Sequence, residues 1–123
     1  MVVRLACPGN LEMQIDRNKR GTVVVVAPHG SLDIDTRKVF VDMLFGLLDT
    51  GETAILVDLS HVDFMTSTGL SAMLYAAKRV EEITGKFAVC SVNKDIHTVF
   101  AMTGFDSILD IYPTVDEALE KLQ

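Results

Sequence analysis

The sequence predicts an α/β fold in the order β-β-α-β-α-β-α-β-α, a mixed, largely parallel β-sheet with helices packed against it. Three observations carry this. Thr22–Ala27, Ala54–Leu59 and Phe87–Val92 are short, nearly unbroken apolar runs, the pattern of strands covered on both faces. Between them, apolar residues recur at helical spacing, as Val39, Phe40, Met43, Leu44, Leu47 and Leu48, and again as Leu70, Met73, Leu74, Ala77, Val80 and Ile83. After an initial pair of strands, strand and helix alternate, and such crossovers build parallel sheets.

Taken in order, Val2–Ala6 reads as a short edge strand cut off by Pro8, Gly9 and Asn10. Leu11, Met13 and Ile15 alternate with polar residues, as in a half-buried strand, and Arg17–Gly21 reads as the hairpin turn after it. Pro28–Ser31 ends the next strand, and Asp35 is the expected N-cap of the first helix, which Gly51 stops. The third strand, Ala54–Leu59, leads through a loop into the second helix, ended by Gly85. Asn93 or Asp95 caps a short third helix that Gly104 closes. Ile108–Ile111 reads as a brief strand. Thr114 opens the last helix, with Glu117 at capping-box spacing.

At 123 residues the chain is long enough for one continuous core and short for two domains. A net charge of −6, with no Lys/Arg cluster, argues against nucleic acid and against anionic membrane surfaces. No apolar run approaches the length of a membrane span. Arg4 interrupts the apolar stretch before Cys7, so no export signal is expected, and a cytoplasmic setting follows, with Cys7 and Cys90 as thiols. Cys90, inside an apolar strand, reads as a small buried hydrophobe. His29, His61 and His97 are scattered without metal-ligand spacing, and no structural metal or cofactor is expected.

The stretch richest in chemistry is Thr66-Ser67-Thr68-Gly69, where the chain leaves a strand and opens a helix. Helix N-termini present unpaired N–H groups and a partial positive charge, which suit an anion. A single hydroxyl there is ordinarily a cap worth about 1 kcal/mol. One cap needs one hydroxyl, and this loop has three in a row. Phe64 and Met65 are expected to rim it, and Met65 and Met73 are candidates for an adaptable binding surface. A serine-hydrolase elbow would need G-x-S-x-G, but Met65 stands two residues before Ser67. The P-loop and dinucleotide glycine patterns are absent. A flavin or nucleotide phosphate loop stays open as an alternative, although it would follow the third strand here and no tryptophan is available to stack on a ring. Asp33 and Asp35 read first as a turn residue and a cap, with paired-carboxylate chemistry as the rival.

Two motifs give the chain a family likeness. Val57–Leu70, VDLSHVDFMTSTGL, is similar to the strand, F-M-D-S-[ST]-G-L, helix signature of STAS domains, and Gly30–Thr36, GSLDIDT, to their G-x-L-D-x-x-T. The chain thus resembles the bacterial anti-sigma factor antagonists over residues 11–122, with 1–10 an N-terminal extension to a single STAS domain over residues 11–123. The resemblance implies a non-enzymatic partner switch. An anti-sigma factor of the histidine-kinase ATPase type phosphorylates the antagonist, whose unphosphorylated form binds that kinase, and a serine phosphatase resets it. Residue by residue, it implies phosphorylation at Ser67, with Thr66 and Thr68 in reach. It implies partner contacts at Asp33, Met65, Thr66, Thr68, Gly69 and Leu70, with the exposed face of the following helix adding to them. Thr66 stands where the family has aspartate. A monomer or weak homodimer is expected, and a scaffold subunit of a stressosome-like assembly is the alternative within the family.

Overall fold

The structure is a computed structural model that describes residues 2–7 and 11–122, with side chains from residue 14 onward. Six strands form the main sheet, in the spatial order β1 (Val2–Cys7), β2 (Leu11–Arg20), β3 (Val23–Pro28), β5 (Ala54–Asp58), β7 (Lys86–Cys90) and β8 (Asp110–Tyr112). Strand β2 is antiparallel to both β1 and β3, and the remaining pairings are parallel. Among the described residues the four α-helices are α1 (Arg37–Asp49), α2 (Ser67–Glu82), α3 (Lys94–Thr103) and α4 (Val115–Leu122). The mixed, largely parallel sheet with packed helices is thus present as the sequence predicts.

The apolar runs split between two cores because successive strand residues point to opposite faces. Val24, Val26, Ile55, Val57 and Val89 meet Phe40 and Leu44 of α1, Leu70, Met73 and Val80 of α2, and Ile96 and Phe100 of α3. Val23, Val25, Ala54, Leu56, Ala88 and Cys90 meet Ala118, Leu119 and Leu122 of α4. Cys90 is fully buried, and exclusion from water pushes its thiol pKa up to about 11.

Four local expectations are corrected. Strand β2 continues through the residues expected to turn, because Arg17–Arg20 pair with Val26–Val23 across the ladder. The turn shrinks to Gly21 and Thr22, with Gly21 at φ +64°. Helix α1 begins after Thr36, not after Asp35, since the Asp33 side chain satisfies the amides ahead of it. The last strand is Asp110–Tyr112, and Ile108, expected within it, is exposed beyond a 3-10 turn at Phe105–Ser107. Finally, two segments expected as loops, β4 (Gly30–Leu32) and β6 (Val62–Met65), pair in parallel as a second small sheet. That sheet carries the site.

Candidate functional site

Strand β4 delivers the Asp33 turn, and β6 delivers the hydroxyl loop. Their register sets Ser31 beside Phe64 and Leu32 beside Met65. The pairing is extended by the Thr66 N–H, which donates to the Leu32 carbonyl at 3.0 Å. The same carbonyl lies over the first turn of α2, where a β-carbon on Gly69 would come within 2.2 Å of it. Glycine is therefore required for the two segments to close on each other.

The three hydroxyls have separate positions. Thr66, in extended conformation, is the N-cap, and its Oγ1 accepts the Gly69 N–H at 3.2 Å. Its carbonyl accepts the Leu70 N–H at 2.9 Å. Ser67 is the first helical residue and is exposed. Its hydroxyl has no partner among the described residues, and neither do the amides of Ser67 and Thr68. Thr68 is half-buried toward α1. The cap is thus supplied by Thr66, and Ser67 is left with an unoccupied hydroxyl at the positive end of the helix dipole.

Asp33 holds its own turn. Its Oδ1 accepts the N–H groups of Asp35 at 2.9 Å and Thr36 at 3.1 Å, while the Thr36 hydroxyl donates to the Ser31 carbonyl at 2.7 Å. This places the half-buried carboxylate one residue from the Leu32 contact with α2. Asp35 is exposed and joins the turn only through its backbone N–H, not through its side chain. Asp58 ends β5 and accepts the Ser60 N–H at 3.0 Å.

Of the expected partner contacts, Asp33, Thr66 and Thr68 are reachable from solvent, whereas Met65, Gly69 and Leu70 are buried. Met65, at 5% exposure, and Met73, at 0%, fill the core, so neither supplies an adaptable surface. The apolar rim expected of Phe64 and Met65 comes from Phe64, 59% exposed, together with Ile34, 66% exposed. Ile34 was missed by sequence reasoning. Its signal was an isoleucine set between two aspartates in a turn, where no core position is available.

The histidines gather in an unexpected way. His29 and His61 stack with centroids 4.3 Å apart, and His29 Nε2 lies 2.8 Å from Asp16 Oδ2. That hydrogen bond holds the Asp16 carboxyl below its usual pKa. His97 is exposed on α3. Among the described residues no cluster has the donors for a metal ion, and no helix is long and apolar enough to cross a membrane.

A strand-to-helix hydroxyl loop buttressed by a second small sheet, on a mixed sheet with four helices among the described residues, defines the class of protein. The chain belongs to the STAS domain family, whose model matches residues 14–118, and it is similar to proteins that carry the name anti-sigma factor antagonist. The Thermotoga neapolitana homolog of TM1081 is 34% identical over 82% of this chain and 90% of its own. The anti-sigma F factor antagonist of Paenibacillus polymyxa is 28% identical over 92% of this chain and 97% of its own. The crystal structure of TM1081 from Thermotoga maritima superposes with a TM-score of 0.84 at 28% identity, covering 88% of this chain and 93% of that one.

Proposed function

We propose that this protein is an anti-sigma factor antagonist working as a phosphorylation switch at Ser67, and that it is not itself an enzyme. In its unphosphorylated form it binds an anti-sigma factor that is also a kinase of the histidine-kinase ATPase type. Phosphorylation releases it, and a serine phosphatase restores it. The observation that carries the reading is the exposed Ser67 hydroxyl, free of hydrogen bonds among the described residues, at the start of a helix already capped by Thr66.

The energetics of the two states differ in the needed direction. A phosphate adds about −1.5 to −2 charges. At the first turn of α2 the helix dipole favours it by roughly 0.3–1 kcal/mol, so the fold accepts the group. Inside an interface the same charge must be desolvated or paired, at a cost on the order of 2–5 kcal/mol if it is not. That corresponds to about 30-fold to several-thousand-fold in affinity.

Thr66 stands where the family's motif has aspartate. In this chain its hydroxyl meets the Gly69 amide as an aspartate carboxylate at an N-cap would. The cap is kept, and one negative charge beside the acceptor is lost. This bears on which kinase recognises the loop.

The test is binding of the cognate anti-sigma factor before and after phosphorylation. Tight binding of the unmodified protein and weak binding of the Ser67→Asp variant are expected. Equal affinity for both would remove the switch.

A further inference from the structure

Helices α1 and α2 leave a cleft of about 260 Å³ between their exposed faces. Arg37, Lys38, Val41 and Asp42 line it from α1, and Thr68, Ser71, Ala72 and Tyr75 from α2. Its floor is apolar, built by Val41 and Ala72. One wall is the Tyr75 ring, 58% exposed and braced edge-on against Phe45 at 5.6 Å between centroids. Lys38 is paired with Asp42 at 2.8 Å, so those two charges balance. The Arg37 side chain has no hydrogen bond or ion pair among the described residues, and it gives the cleft a net positive charge on a chain of net −6.

We propose that this cleft takes an aspartate or glutamate side chain of the same anti-sigma factor that reads Ser67, an inference resting on the function proposed above. Charge points to the occupant, and the volume, at the small end of pockets that take small molecules, has room for one or two side chains. Arg37 supplies the planar donor fork that matches a carboxylate, and the Thr68 and Ser71 hydroxyls add polar partners. Tyr75 supplies a rigid aromatic contact of the kind that anchors protein interfaces.

Position links the cleft to the switch. Thr68 follows Ser67 directly, and Ser71 lies one turn further along α2 from Ser67. A phosphate on Ser67 therefore sets a dianion one residue from the cleft's lining. There it repels the incoming carboxylate. Phosphorylation then breaks the complex by removing a contact as well as by burying a charge.

The experiment measures affinity of the unphosphorylated protein for the cognate anti-sigma factor, using wild type, Arg37→Glu and, as a charge control, Lys94→Glu on α3. Glutamate suits the first turn of α1 through the helix dipole, so folding is preserved and is checked by thermal melting. A loss of tenfold or more is expected for Arg37→Glu, with Lys94→Glu within about twofold of wild type. Reversing one acidic residue of the anti-sigma factor to arginine should restore binding to Arg37→Glu. If Arg37→Glu binds normally while Ser67→Asp does not, the cleft proposal falls and the switch stands. A loss that no partner charge reversal rescues also overturns it. So does Arg37-dependent binding of ATP or inorganic phosphate by the free protein, which would make the cleft a small-molecule site. If wild type, Ser67→Asp and Arg37→Glu all bind alike, the proposed function falls with it.

Discussion

The carbonyl oxygen of Leu32 lies where a β-carbon on Gly69 would come within 2.2 Å of it. This approach joins the turn carrying Asp33 to the helix opened by Ser67, and the Thr66 N–H donated to the same oxygen fastens it. Gly69→Ala should force strand β4 away from α2 and destabilise the fold by about 1–3 kcal/mol, the usual cost of overpacking. Thermal melting checks it. An unchanged midpoint would mean that the two segments part without penalty and do not form a single platform.

Thr66 supplies the cap of α2. Thr66→Ala should lower stability by about 1 kcal/mol, whereas Thr66→Asp should keep the capping bond and add a favourable charge at the helix start. Urea denaturation of the two variants separates capping from charge. If alanine and aspartate behave alike, the Thr66 hydroxyl contributes nothing through Gly69.

Phe64 is exposed beside Ser31 and packs no core. Phe64→Ser should leave stability within about 0.5 kcal/mol of wild type, as surface substitutions do, while weakening the anti-sigma factor complex. Calorimetric titration against that partner reads the second effect. Undiminished affinity would place the contact surface elsewhere.

The Asp16–His29 bond gives the acid limb of stability a definite sign. The folded carboxyl titrates below its ordinary value of 3.8 because the imidazole hydrogen-bonds its charged form. As pH falls through that ordinary value, the unfolded chain takes up the proton before the folded one does. Stability contributed by Asp16 is present above that pH and is lost below it. Asp16→Asn should therefore show a shallower fall in unfolding midpoint between about pH 5 and about pH 3. Parallel profiles would show that the bond contributes no pH dependence. Since Asp16 is partly solvent-exposed, the effect is small.

Much of this architecture could be read from residue patterns, and what escaped did so for physical reasons. The strands β3, β5 and β7 and helices α1 and α2 announce themselves through burial, because a strand covered on both faces must be apolar throughout. Strand β2 hides its second half because Asn18, Lys19 and Arg20 hold their ladder bonds through backbone, with side chains in water. The small β4–β6 sheet is only a few residues long, too short for any period to show. Its existence depends on the long-range approach of Leu32 to Gly69, which no local pattern encodes. The position of Ser67 at a helix start was legible, since three hydroxyls before a helical stripe mark an N-terminus. Which of them faces solvent was not, because that follows from Thr66 being held by Gly69 and Leu32. Met65 was misread as rim for the same reason, since strand β6 turns its side chain inward and leaves Phe64 outside.

The most direct measurement is the mass of the protein after incubation with its cognate anti-sigma kinase and ATP. Wild type should gain one phosphate, mapped by peptide fragmentation to Ser67, and Ser67→Ala should gain none while melting as wild type does. A Ser67→Ala protein that is phosphorylated as fast as wild type would contradict the account.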